Sequence, residues 1–127
     1  MKLSLELNDG NAYAVQAYEL GVIQINNSRH TETLVVMPDS LHTDYRVLAD
    51  PDDLTESHFS ELSELGAELI VIGTGSNQRF LHPRLWAHLS RQGIGVEFMD
   101  TAAACRTYNI LMSEGRRVAA LLFPIGE

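Results

Sequence analysis

The second half of the chain alternates short apolar runs with stretches of helical spacing. Residues 68–72, built on Leu69-Ile70-Val71-Ile72, read as a strand, as do 94–99 and 117–123. Three helices are predicted around them. In 55–66, Thr55 is the cap, Glu56 occupies the first turn, and Leu54 with Phe59 forms a hydrophobic staple. Phe59, Leu62 and Leu65 make its buried stripe, Glu56, Glu61 and Glu64 face water, and Gly66 ends it. In 83–92, Pro83 suits the first helical position because its ring fixes the dihedral and its missing donor is not needed there. The third helix runs from its cap Asp100 to Glu114 and closes at Gly115.

The first 37 residues carry period-two alternation instead. Leu3, Leu5 and Leu7 alternate with polar residues, residues 8–11 form a turn cluster, and Tyr13, Val15 and Ala17 continue the pattern. Residues 22–25 and 33–37, joined through 26–29, read as a hairpin. Residues 38–51 look irregular, with Tyr45, Val47 and Leu48 packed on the core. Strands alternating with helices, after a strand-rich start, predict an α/β fold. It has a mixed central sheet, covering helices and an appended N-terminal hairpin. No repeat or linker divides the chain, so 1–127 reads as a single domain. The expected core is Leu54, Phe59, Leu62, Leu69, Val71, Leu85, Leu89, Val96, Phe98, Tyr108, Leu111 and Leu121.

Composition narrows the function more than the fold. The 127 residues are 45% apolar, enough for a core without disulfide or metal, and the single Cys105 fits a reducing compartment. The N-terminus lacks a signal-peptide core, and no apolar run approaches the ~20 residues of a membrane-spanning helix, so a soluble, cytoplasmic protein without membrane insertion is expected. The net charge of −8 argues against nucleic acid as a partner. That charge is uneven: residues 1–68 balance at −10 and 69–127 at +2, and eight of nine basic residues are Arg. Two halves that meet and partly neutralise one another would explain this.

The run into Gly73-Thr74-Gly75 resembles the start of a dinucleotide-binding loop. That fingerprint needs a third glycine where Gln78 stands, and a helix directly after the turn, whereas the predicted helix waits until Pro83. No Walker sequence occurs, and no cofactor is expected. Two readings remain for the loop 73–82. It is a long ordered turn, or its backbone donors with Ser76, Asn77, Gln78 and Arg79 hold a small anion, a small molecule or a partner's carboxylate. If strands 68–72 and 94–99 run parallel, their carboxyl ends share one edge. Gly73, Thr74, Gly75, Ser76, Arg79, Asp100, Thr101 and Arg106 would then form one binding surface, with Arg79 and Arg106 as anchors. The competing role for Arg106 is an ion pair with Asp100 or Glu97.

Other chemistry is sparse. The five histidines are scattered and no Cys pair exists, so no metal site is expected. Asp50, Asp52 and Asp53 lack the glycine and late glutamate of a calcium loop. No catalytic residue is assigned. Cys105, one turn into its helix beside Arg106, has the setting of a lowered pKa, but the small-residue run 102–105 points to a buried, inert thiol. Arg116 and Arg117 read as solvated turn residues.

The segments "GTGSNQRFLHP", "GIGVEFMDTAAACRTYNILMSEGRRVAALL" and "YELGVIQINN" resemble the small domain-of-unknown-function family related to mitochondrial complex I assembly factor three. The most specific part is Asp100-Thr101-x3-Cys105-Arg106-Thr107-Tyr108-Asn109 with 114–118; Tyr45 departs from the Trp of many relatives. The resemblance implies a compact three-layer α/β fold, no established enzymatic activity, and protein partners in its eukaryotic branch. The expected function is therefore a non-catalytic interaction or assembly domain, monomeric or weakly self-associating. The alternative is a small-molecule or anion-binding domain, even a cryptic enzyme, using the loop 73–82.

Overall fold

Five strands build the central sheet, and their apolar density explains where each one sits. The computed structural model describes residues 12–126, so the predicted strand at Leu3, Leu5 and Leu7 and the turn at 8–11 lie outside the described residues. Three strands form a small antiparallel sheet in sequential order: β1 (Val15–Glu19), β2 (Val22–Ile25) and β3 (Ser28–His30). The central sheet contains β4 (Leu34–Met37), β5 (Ser40–His42), β6 (Leu69–Thr74), β7 (Gly95–Met99) and β8 (Val118–Phe123), in the order β5-β4-β8-β6-β7. β8, β6 and β7 run parallel, while β4 and β5 add antiparallel pairs, so the sheet is mixed.

The predicted hairpin chose the wrong return strand. β2 pairs with β3, not with 33–37. β2 alternates between buried and partly exposed positions, as a half-covered strand does. Every residue of β4 is buried, which requires cover on both faces, and β4 takes that position beside β8. A bulge between Val15 and Ala17 shifts the alternation in β1, which leaves Ala17 exposed. Residues 38–51 are less irregular than expected, since β5 returns along β4. Tyr45 and Leu48 are buried as predicted, but Val47 is 81% exposed.

Helix α1 (Glu56–Ser63) has Thr55 as its cap, in a capping box whose second partner is His58, and Leu54 and Phe59 join one buried cluster. The helix predicted at 83–92 is broken into a 3-10 turn, Pro83–Leu85, and a short α2 (Ala87–Arg91). Trp86 sits at the break, where its indole N–H donates to the Leu81 carbonyl at 3.1 Å and its ring packs 5.6 Å from Phe98. Helix α3 (Thr101–Ser113) starts on the predicted Asp100 cap.

The layers follow from which side chains meet. Val35, Ile70, Ile72, Ala119 and Leu121 point to the face covered by α1 and α2. Leu34, Val36, Val71, Val118, Ala120 and Leu122 face α3 and the small sheet. The result is a three-layer α/β domain, as expected. The small sheet is fastened to α3 by side chains standing in for strand partners. Asn109 accepts from the Val15 N–H at 2.9 Å and donates to its carbonyl at 2.7 Å, while the Tyr108 hydroxyl donates to the Tyr13 carbonyl at 2.6 Å. Of the predicted core, Leu69, Leu85, Val96 and Leu111 are only half-buried, and the rest are buried.

Candidate functional site

The connection after β6 leads to α2 on one face, and the connection after β7 leads to α3 on the other. Between such strands an open α/β sheet has its switch point, the usual place for a ligand. Here the chain's own groups occupy it. Gln78 donates to the Phe98 carbonyl at 2.8 Å, and the Thr74 hydroxyl, which donates to the Asn77 carbonyl at 2.6 Å, has the Met99 carbonyl at 3.2 Å. Thr74 in turn accepts from the Arg79 N–H at 3.1 Å.

β6 runs to Thr74, so the loop proper is 75–82. Its first backbone donor is already engaged: the Gly75 N–H bonds the Thr101 hydroxyl at 2.8 Å, and the Gly75 carbonyl accepts from the Thr101 N–H at 2.9 Å. The same hydroxyl donates to the Phe123 carbonyl at 2.6 Å, so one threonine at the start of α3 holds the ends of β6 and β8. Both glycines have a defined task. A Cβ on Gly73 would lie 3.0 Å from Thr101 Cα and Ala104 Cβ, because α3 rests directly on the strand, and Gly75 has φ +93°.

Beside the loop lies a cavity of about 480 Å³, whose lining includes Asp50, Pro51, Gly75, Ser76, Arg79, Phe123 and Pro124. Arg79 spans it to the acidic half of the chain, 3.1 Å from Asp50 and 3.3 Å from Asp52. Asp50 is held below the ordinary carboxylate range by the Asp52 N–H first and by Arg79 second. Its contribution to folding is thus present above that range and lost as pH falls through the lowered value. Ser76 donates to the Gly126 carbonyl.

The predicted surface is therefore divided. Gly73, Thr74, Gly75 and Thr101 form the clasp, Ser76 and Arg79 line the cavity with Thr74 and Gly75, and Asp100 and Arg106 are absent from that lining. Asp100 caps α3 through the Ala103 N–H at 2.8 Å. Arg106 donates to the Tyr18 hydroxyl at 2.7 Å, and so pairs with neither Asp100 nor Glu97. Asp50, Asp52, Phe123 and Pro124 were not assigned to the site from the sequence. The Asp cluster just ahead of a helix was the one available signal, and it reads equally well as a capped turn. Arg116 and Arg117 are also more than solvated turn residues, since both bracket Glu68, and Arg116 holds its carboxyl below the usual range. Together with Arg79, they join the arginine-rich half to the acidic half.

Cys105 is buried, 1% exposed, and burial pushes its thiol up to about 12, against a smaller lowering by Arg106. At pH 8 about one thiol in ten thousand is then ionised. The folded protein is expected to react with a thiol reagent roughly a thousandfold more slowly than the unfolded chain. Equal rates in the two states, read by absorbance, would place Cys105 at the surface.

Among the described residues, no helix is long and apolar enough to cross a membrane, and no group of three His, Cys, Asp or Glu residues is placed to hold a metal ion.

The comparisons with known proteins fit this architecture. NADH dehydrogenase (ubiquinone) 1 alpha subcomplex assembly factor 3 of Rattus norvegicus is 32% identical over 126 residues, 97% of this chain and 67% of that protein. The protein of the same name in Mus musculus is 42% identical over 74 residues, 57% of this chain and only 40% of its own length. The chain thus spans two thirds or less of these assembly factors. A Francisella tularensis relative, 26% identical over 83% of this chain and 85% of its own, carries the name 13 kDa major membrane protein. A crystal structure from Bordetella parapertussis has a TM-score of 0.83 and 38% identity, covering 89% of this chain and 96% of that one. Residues 15–123 match the family described as "Protein of unknown function (DUF498/DUF598)", and the chain belongs to that family.

Proposed function

We propose that this protein is a soluble, cytoplasmic, non-catalytic interaction domain that takes part in assembling a respiratory protein complex. The names of its assembly-factor relatives support the assembly role. The observation that carries the interaction reading is the contrast between the closed loop and the apolar side chains outside it. The clasp engages the Gly75 and Arg79 backbone donors within the fold, while Phe80 stays 76% exposed and Val47 81% exposed. Phe80 follows Arg79 directly, Val47 lies three residues before Asp50, and the Arg79–Asp50 pair ties the two segments together. An exposed aromatic beside an arginine suits a protein partner. The acidic balance of −8 leaves nucleic acid as a poor one.

The test is capture of partners from the native cell by tagged wild type, Phe80→Ser and Arg79→Ala, with stability measured in parallel. Phe80→Ser is expected to lose the wild-type partners at a stability cost of about 1 kcal/mol, since its ring meets the buried Phe98 edge-on with centroids 6.3 Å apart. Retention of the same partners by both variants would remove this surface from the proposal. The 480 Å³ cavity supports a second reading, a small-molecule site at Ser76 and Arg79. That reading requires a compound whose stabilising effect disappears in Arg79→Ala.

A further inference from the structure

Residues 1–68 contain only three basic side chains, and two of them, Arg29 and Arg46, line one small cavity at the end of β3. Its volume is about 170 Å³, and its polar lining also includes Glu32 and three threonines, Thr31, Thr33 and Thr43. At about 30 Å³ per water, that is the space of five or six waters, or of one phosphate group with a small substituent.

The two guanidiniums have most of their donors unspent. Arg29 reaches Glu19 only at 3.5 Å between two side chains that are each more than 60% exposed, and Arg46 makes a 3.4 Å contact with the Thr43 carbonyl. Each guanidinium offers five N–H donors in a planar fork that matches a tetrahedral oxyanion.

We infer that this cavity binds a phosphate group, held by Arg29 and Arg46. Glu32 adds selectivity. A carboxylate in the lining repels a fully ionised anion but accepts a hydrogen bond from a phosphate that still carries a proton. Sulfate has no such proton near neutral pH. The inference does not depend on the interaction surface at Phe80.

The experiment is a titration of the whole protein with inorganic phosphate near pH 6.5, followed by backbone amide chemical shifts at constant ionic strength. Saturable shifts confined to residues 29–34 and 43–46 are expected. Arg29→Gln and Arg46→Gln, both changes at exposed positions, are each expected to weaken binding about tenfold or more, the usual effect of losing one charge-assisted hydrogen bond. Sulfate is expected to bind at least tenfold more weakly in wild type. Glycerol phosphate distinguishes the source of the group: tighter binding than inorganic phosphate marks a phosphomonoester site, and weaker binding marks a site for the free ion. Shifts that fail to saturate, that persist unchanged in both arginine variants, or that sulfate reproduces at the same concentration would overturn the inference. The amide spectra themselves report whether each variant is folded.

Discussion

Phe59→Ala is expected to destabilise the protein by about 3–5 kcal/mol, the range for emptying a fully enclosed aromatic site. Phe59 is 0% exposed and belongs to the cluster that joins α1 to the central sheet, with Ile70, Ile72 and Leu121 among its members. Few atoms nearby are free to close the gap, because the sheet behind it is fixed by its ladder and Leu54 and Leu62 flank it on its own segment. Denaturant unfolding of the two proteins measures the difference directly, and a drop in Tm of roughly 10–20 °C should accompany it. Leu111→Ala is the internal comparison. Leu111 is only half-buried against the opposite face, so its truncation is expected to cost about 1–2 kcal/mol. Equal losses in the two variants would mean that α1 is not the helix that closes its face of the sheet.

That comparison shows where a linear pattern carries information and where it does not. Phe59 and Leu111 both fall on apolar stripes of predicted helices, and the sequence ranks them alike. Their burial differs because Phe59 is enclosed within the cluster between α1, α2 and the sheet, while Leu111 lies near the end of α3, on the face shared with the small sheet. Spacing identifies a face; it does not say how far along the helix the cover extends. The same limit explains the hairpin. Four apolar residues in β4 are as compatible with a hairpin arm as with a central strand, and only pairing with β8, more than eighty residues away, decides between them. Caps were legible because they are local: Thr55, Asp100 and Gly115 act within one turn of their own position. Partners across the fold were not. Arg79 to Asp50, Arg116 to Glu68 and Arg106 to Tyr18 each connect residues far apart in sequence, and charge alone offered several equivalent choices for each. The Gly-Thr-Gly element was legible as an ordered turn or a binding loop, but not what its backbone meets. That neighbour is α3 of the same chain.

Thr101→Val tests that last point with the second large effect. The substitution keeps the shape and removes the hydroxyl, which accepts from the Gly75 N–H and donates to the Phe123 carbonyl. Both groups are buried, and an isosteric valine leaves each without a partner. At about 1–3 kcal/mol per stranded group, the expected loss is about 2–6 kcal/mol. Thr101→Ser retains the hydroxyl and gives up one buried methyl, so it should cost about 1 kcal/mol. Asp100 remains the cap of α3 in both variants, which separates the clasp from helix initiation. Hydrogen exchange at the Gly75 amide supplies a local readout. It should be strongly protected in wild type and in Thr101→Ser, and should lose protection in Thr101→Val by more than the global destabilisation accounts for. Equal stability of the valine and serine variants would show that packing of α3 on Gly73, rather than the hydroxyl, closes the loop. A selective loss at Gly75 would show that the donor resembling the start of a nucleotide-binding loop is committed to the fold, with Thr101 in the place a ligand oxygen would take.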